Sequence, residues 1–277
     1  MKVAVLGCGP AGLVATHAAV LAGSEVAILS KARKSVLHGA QYLHEPIPEI
    51  TEEAPRLVHY RLQGTIDEYR QKVYGEQWHG KVSPDEYGTE QDHNAWDLRG
   101  TYDELWDMYG SGVQDVELRP DLVAGLVSKV DLVISTIPAP LLCAVPDQHA
   151  FQAQQVWAAG QQVGSDFPFH CHKDTIICNG EESPSWYRMA RVFDHTTVEW
   201  PFRPSYSAAV PVNKPLAHTC TCLPQVLRVG RYGAWQKGLL VHDAFEAVYR
   251  HLTTGKPLVQ RIREVFSAGP REMFGAR

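Results

Sequence analysis

Residues 1–30 read MKVAVLGCGPAGLVATHAAVLAGSEVAILS. An apolar run over residues 2–6 is broken by Gly7-Cys8-Gly9-Pro10-Ala11-Gly12, and an Ala-rich segment of helical pattern follows over residues 13–21. Ala22-Gly23 ends that segment, and residues 25–29 form a second apolar run. Strand, glycine turn, helix and strand in this order predict a βαβ unit. Gly7, Gly9 and Gly12 have the G-x-G-x-x-G spacing. The first glycine permits the tight turn, the second lets the backbone approach a pyrophosphate, and the third lets the helix lie close to the strand. Free N–H groups at the helix start meet the negative charge. Pro10 fits the first turn, where its missing donor costs nothing. The spacing implies a dinucleotide site.

The end of the second strand departs from that pattern. An acidic side chain is expected there to hold the adenosine ribose, but the sequence has Ser30-Lys31-Ala32-Arg33-Lys34, and Glu25 lies too early. Lys31, Arg33 and Lys34 suit the extra phosphate of NADP or form a solvated basic patch, and Ser30 is the alternative ribose contact.

Further along, residues 35–48 read as ordered loop, 56–63 as a strand, and 65–74 as a short helix capped by Thr65 with Glu68 three residues on. Residues 81–99 are polar loop, and Thr101 with Glu104 predicts a second capping box over 101–109. A helix is expected over 121–128, and the continuous apolar run 130–136 predicts a strand buried on both faces. Residues 174–178 and 187–200 read as antiparallel strands of a second sheet, and 226–229 as one more core strand. Apolar residues at helical spacing over 239–252 predict a helix packed on the first sheet. The fold class expected is α/β, a Rossmann-like dinucleotide-binding domain with a smaller inserted α+β substrate lobe. Residues 1–55, 120–145 and 224–277 form the first, and 56–119 and 146–223 the second, with the substrate cleft between them.

A length of 277 residues fits one large domain or one domain with an inserted lobe. Hydrophobic residues at 44% and charged residues at 21% exclude disordered, collagen-like and coiled-coil chains. A net charge of −5 without a basic tail argues against strong nonspecific nucleic-acid binding; a base as substrate stays open, since the Trp-rich middle could stack on one. No apolar run reaches the about 18 residues of a membrane span, and the glycine-punctuated start does not resemble a signal peptide. A cytoplasmic protein with six mostly reduced cysteines is expected. The aromatic content suggests an aromatic-lined cleft or buried aromatics. His170-Cys171-His172, Cys178 and Cys220-Thr221-Cys222 offer soft ligands, but no C-x₂-C pair occurs and adjacent ligands rarely point into one tetrahedron. No metal site is expected. A redox pair of Cys220 and Cys222 is disfavoured because C-x-C is not C-x-x-C at a helix start, and Cys8 reads as packing.

Gly7-Cys8-Gly9-Pro10-Ala11-Gly12-Leu13 resembles the opening of FAD-dependent oxidoreductases. VDLVISTIPAPLL, residues 130–142, and LRVGRYG, residues 227–233, resemble segments of flavin amine oxidases and UDP-galactopyranose mutases, in the same order along the chain. The stretch around Trp186-Tyr187-Arg188 and Val198-Glu199-Trp200 is loosely similar to the sheet of the mutase group. The chain is short for this superfamily, so a reduced substrate lobe is implied, and Gly39-Ala40 stands where many members have Gly-Gly. The resemblance implies an FAD site built from Gly7, Gly9, Pro10, Ala11 and Gly12, from Ser30, Lys31 and Arg33, from Gly39, Ala40, Gln41 and Tyr42, and from Gly230, Arg231, Trp235 and Gly238.

With FAD bound, the flavin carries the redox chemistry and the protein positions substrate. His44, Arg188 and Lys237 are the catalytic candidates: a cleft-lining histidine beside His38, an anion clamp with Arg191 and Arg203 as companions, and a cation beside reduced flavin. Each has a structural or solvated alternative, and His242 and Asp243 read as mainly structural. The leading expectation is an FAD-dependent oxidoreductase acting on a small polar metabolite or an amino- or hydroxyl-bearing group, by hydride transfer to flavin N5. A non-catalytic dinucleotide-binding protein (sensor, scaffold or partner subunit) and an NADP-dependent reductase are the alternatives. A homodimer or a protein partner stays open.

Overall fold

A computed structural model describes residues 1–37, 42–75, 92–162 and 167–254 of the chain. The chain divides into two compact units. The first comprises Met1–Lys34, Tyr102–Phe151 and Ala217–Arg277; the second comprises Ser35–Thr101 and Gln152–Leu216. The bounds differ from those read from the sequence: residues 35–55 fall in the second unit, and residues 102–119, 146–151 and 217–223 in the first.

The first unit holds a five-stranded sheet of β1 (Lys2–Leu6), β2 (Glu25–Ser30), β5 (Val113–Asp115), β6 (Leu132–Ser135) and β12 (Val226–Arg228), ordered β12-β6-β1-β2-β5. Every pairing is parallel. β1 and β6 are buried over nearly their whole length, as a sheet covered on both faces requires. Strand order reverses at β1, which has β2 on one side and β6 on the other. Open parallel sheets bind ligands at such a switch point, beyond the carboxyl ends of the strands. β5 escaped the sequence reading because a three-residue polar edge strand carries almost no pattern; its pairing with β2 draws residues 102–119 into this unit.

Helix α1 (Pro10–Leu21) follows the glycine turn, as predicted. Helix α6 (Val241–Thr253), expected on the sheet, packs chiefly on α1. His17 on α1 lies between the Tyr109 hydroxyl, 2.8 Å from its Nδ1, and the Phe245 ring of α6. Helix α4 (Pro120–Val127) packs Val123 against the sheet core with Leu6, Val133 and Leu142.

The second unit is a seven-stranded mixed sheet, ordered β11-β7-β10-β9-β8-β3-β4. Its strands are β3 (Arg56–Gln63), β4 (Asp92–Ala95), β7 (Phe151–Gln162), β8 (Thr175–Asn179), β9 (Arg188–Val192), β10 (His195–Trp200) and β11 (Val210–His218). The 187–200 segment, read as antiparallel strand, contains the antiparallel pair β9 and β10, and β8 pairs antiparallel with β9. β11 was missed because VPVNKPLAH contains two prolines, which a sheet tolerates at an edge, and β11 is an edge strand. Helix α2 (Ile66–Tyr74) has the predicted capping box: Glu68 N–H donates to Thr65 Oγ1, and Thr65 N–H donates to Glu68. Its Tyr69 and Val73 join a core with Val58, Tyr60, Ile176 and Tyr187. Phe167, Trp200 and Ala209 form another core cluster with Phe169 and Tyr206 against it, so much of the aromatic content is buried packing.

Helix α3 (Leu98–Tyr109) corrects the second predicted box. Asp97 caps it, its Oδ1 accepting the Arg99 N–H at 2.9 Å, while Thr101 is a buried helical residue. At Gly100 the missing side chain leaves room for the Asp97 carboxylate folded over the first turn. Among the described residues no helix is long and apolar enough to cross a membrane.

Candidate functional site: the carboxyl edge of the parallel sheet

Three segments converge beyond the carboxyl ends of β1, β6 and β12. The first is the glycine turn. Gly7 has φ +104°, which side chains rarely adopt, and a Cβ there would lie 2.6 Å from Thr136 Oγ1. Thr136, just past β6, donates from both its N–H and its hydroxyl to the Leu6 carbonyl, at 2.9 and 3.0 Å. Gly12 packs so closely that a Cβ would collide with the Gly7 carbonyl oxygen.

Gly9 is different in kind. It caps α1 with φ −71° and ψ 177°, makes no side-chain capping bond, and a Cβ added to it would meet nothing within 4 Å. Its carbonyl accepts the N–H groups of Gly12 and Leu13. The first turn of α1 carries no acidic residue, so the positive end of its dipole is not neutralised from within the helix. This is an open cradle suited to a bound anion.

The third segment follows β12. Gly230 has φ +68°, and a Cβ on it would sit 2.9 Å from Ala11 Cβ, so this turn rests directly on the start of α1. The short helix α5 (Gly230–Gly233) abuts β6, and a Cβ at Gly233 would strike the Ser135 carbonyl. Ser135 Oγ and Arg231 Nε are buried here with no hydrogen-bond partner among the described residues. Trp235 is buried, packing edge-on against Phe151 with ring centres 6.0 Å apart. Lys237 is half-buried beyond it, before Gly238 with φ +89°.

The rim at the end of β2 is braced internally. Ser30 Oγ accepts the Cys8 N–H at 3.2 Å, and Cys8 Sγ reaches the Ala32 carbonyl. Tyr102 donates to the Cys8 carbonyl at 2.8 Å and accepts the Lys34 N–H at 3.0 Å. Arg33 pairs with Asp103 and lies over the Tyr102 and Trp106 rings. Arg33, one of the groups that suggested a 2′-phosphate site, and Ser30, the alternative ribose contact, therefore have protein partners, while Lys31 is exposed. Sequence reasoning missed the roles of Tyr102 and Thr136, since both act through contacts distant in sequence.

The remaining candidates are distributed between the units. Lys237 belongs to the first, and His44 and Arg188 to the second. His44 stacks on Tyr42 with ring centres 4.4 Å apart, and buried Tyr42 shares a hydrogen bond with the Tyr60 hydroxyl at 2.9 Å. Tyr42 is thus a core residue of the second unit. Arg188 is engaged with Glu199, its Nη2 at 2.6 Å and Nε at 2.8 Å from Oε2. Tyr187 and Lys214 donate to the same oxygen at 2.7 and 2.8 Å. Burial alone would raise the Glu199 carboxyl, but Arg188 and Lys214 hold it at about 2. In place of the expected open anion clamp, Arg188 belongs to a buried ion cluster. Of its companions, Arg203 lies over the Trp157 ring. His242 is buried beside Asp243, whose carboxylate accepts the Leu240 N–H. His38, Gly39, Ala40 and Gln41 lie outside the described residues. His170, Cys171, His172 and Cys178 belong to the second unit and Cys220 and Cys222 to the first.

No protein-family model matches the sequence, and no curated protein matches it. Solved structures do. PqsL of Pseudomonas aeruginosa, described as a probable FAD-dependent monooxygenase, aligns with TM-score 0.54 and 12% identity over 96% of this chain and 91% of its own. A variant of Klebsiella pneumoniae HpxO in complex with FAD aligns with TM-score 0.52 and 11% identity over 96% and 85%. The tryptophan 6-halogenase SttH of Streptomyces toxytricini aligns with TM-score 0.52 and 10% identity over 96% and 75%. The chain shares its fold with these proteins, one of them solved in complex with FAD. These three neighbours lend no support to the narrower likeness to amine oxidases and galactopyranose mutases.

Proposed function

We propose that this chain is an FAD-dependent oxidoreductase acting on a small polar molecule. The observation that carries the reading is the open backbone at Gly9, set at the switch point of an all-parallel sheet whose neighbours in fold include an FAD complex. The residues present fit the cofactor. The turn from Gly7 to Gly12 would take the pyrophosphate on backbone N–H groups at the start of α1. The Gly230 turn rests on Ala11 and so borders the same cradle, with Ser135 Oγ and Arg231 Nε, which lack hydrogen-bond partners among the described residues, nearby on β6 and α5.

When bound, the flavin supplies two-electron redox chemistry. The chain's own part is to hold and orient it. Thr136 fixes the Leu6 carbonyl, and Ser30 and Tyr102 fix Cys8, so these contacts brace the turn from within the protein. Buried Trp235 forms part of the wall after the Gly230 turn, and Lys237 follows it as the cation proposed to stabilise negative charge on the reduced cofactor.

The test is the visible spectrum of the full-length protein and the mass of the ligand released on denaturation. Flavin bands with an FAD mass support the reading. A colourless protein that takes up no added FAD refutes it. Anaerobic bleaching by candidate metabolites alone marks direct substrate oxidation. Bleaching that requires a reduced nicotinamide, followed by oxygen uptake coupled to substrate, marks oxygenation. Bound FAD that no reductant or substrate turns over returns the chain to the non-catalytic alternative.

A further inference from the structure

Three of the six cysteines and one histidine gather in the first unit, away in sequence from the glycine turn. Cys143 follows the short helical turn Ala139–Leu142 beyond β6, and His149 follows the turn Pro146–Gln148. Cys220 and Cys222 lie between β11 and β12. One ligand atom from each of the four lies within 4.8 Å of the others. Cys143 Sγ is 3.2 Å from His149 Nδ1 and 3.9 Å from Cys222 Sγ, and Cys222 Sγ is 3.9 Å from His149 Nδ1.

These separations are edges of a coordination tetrahedron. With metal–sulfur bonds of about 2.3 Å and metal–nitrogen bonds of about 2.0 Å, a tetrahedral zinc centre sets sulfur–sulfur edges near ~3.8 Å and sulfur–nitrogen edges near ~3.5 Å. A disulfide would need two sulfurs at about 2.0 Å and would leave the histidine without a role.

The surroundings fix the ligands independently of any ion. Ala150 and Thr219 bridge the two segments beside the cluster: Ala150 N–H donates to Thr219 Oγ1 at 2.9 Å, and Thr219 N–H donates to the Ala150 carbonyl at 3.0 Å. Arg228 donates to the Cys222 carbonyl at 3.2 Å, and its Nη1 is buried without a hydrogen-bond partner among the described residues. Three thiolates and one divalent ion leave a single negative charge, which a nearby guanidinium offsets.

We propose that Cys143, His149, Cys220 and Cys222 form a closed Cys₃His site for a structural zinc ion. Four protein ligands leave no position for substrate or water, which marks a structural centre. Binding exchanges three thiol protons for one Zn²⁺: the three sulfurs bind as thiolates, neutral His149 contributes Nδ1, and three protons pass to solvent. The ion joins the turn after β6 to the turn before β12, two adjacent strands of the parallel sheet, and so braces the approach to Gly230. The expectation of no metal followed from the absence of a C-x₂-C pair. The missing ligands are Cys143 and His149, more than 70 residues from Cys220 and brought to it by the pairing of β6 with β12.

The experiment is metal analysis of the purified full-length chain, followed by exchange of zinc for Co²⁺, each with and without FAD. The expected result is one zinc per chain regardless of FAD. Cobalt should give the visible bands of a tetrahedral thiolate site, in the red beyond flavin absorption. Cys220→Ser and His149→Ala should lose that signal, and Cys171→Ser should keep it. Because a ligand variant can fail to fold, the wild-type chain is also alkylated under native conditions. Loading with zinc should protect three cysteines that a chelator exposes. A folded wild-type chain that takes up neither zinc nor cobalt overturns the proposal, as does a metal-free chain with Cys143 and Cys222 joined in a disulfide.

Discussion

Gly9→Ala separates cofactor binding from folding. Its φ of −71° and ψ of 177° suit any L-residue, and the new methyl group meets nothing within 4 Å. The flavin-free variant should therefore be as stable as wild type, or more stable by about 0.4–1 kcal/mol from reduced freedom of the unfolded chain. That is a rise in Tm of up to about 4 °C. FAD binding should suffer, because the methyl group stands where pyrophosphate oxygens approach the backbone. Losing two charge-assisted hydrogen bonds, at about 1.5–3 kcal/mol each, weakens binding by about 3–6 kcal/mol. At about 1.4 kcal/mol per tenfold, the expected loss of affinity is at least about a hundredfold. Gly12→Ala is the contrast: its Cβ would collide with the Gly7 carbonyl, so this variant should lose stability by about 1–3 kcal/mol or more before any ligand is added. Thermal melts without FAD and titration by flavin fluorescence read both quantities. Gly9→Ala binding FAD as tightly as wild type would place the cofactor elsewhere and refute the reasoning.

Three further outcomes follow from named contacts. Glu199 is held at about 2 by Arg188 and Lys214, below its usual 4.5. A depressed carboxyl stabilises the fold above its unfolded value and loses that contribution as pH falls, here between about 4.5 and 2, worth on the order of 3 kcal/mol. Glu199→Gln, which leaves two cations facing a neutral group, should cost about 3–5 kcal/mol at neutral pH and flatten that acid limb; an unchanged limb in urea melts from pH 5 to 2 would count against the cluster. Tyr102→Phe removes two hydrogen bonds around Cys8 and Lys34 and should cost about 1–3 kcal/mol, with a higher Kd for FAD; no change in either would show that the brace is idle. His195 is lowered to about 4 by burial and by Arg99, so its ring should stay neutral across pH 5–8 and titrate in NMR spectra only near that value; titration at the ordinary 6.5 contradicts the placement.

The βαβ opening was legible because its signals are local: a glycine spacing, an alanine-rich helix and two short apolar runs lie within thirty residues. The capping box of Thr65 and Glu68 was legible for the same reason, since both partners sit on one helical turn. The second predicted box failed where a competing local signal, Asp97 ahead of Gly100, began the helix three residues earlier.

What the sequence by itself determined is therefore the dinucleotide-type turn, most of the buried strands and the class of fold, all written in short-range periodicity and steric demand. Only the tertiary structure decided which residues share a site. Arg188 looked available along the chain but faces Glu199 from the neighbouring strand, a pairing set by the register of β9 on β10. Thr136 and Gly230 reach the glycine turn because β6 and β12 align in parallel beside β1. Cys143 and His149 meet Cys220 and Cys222 through the same alignment. Contacts of this kind depend on strand order, which no local pattern encodes, because a parallel neighbour can come from any distance along the chain.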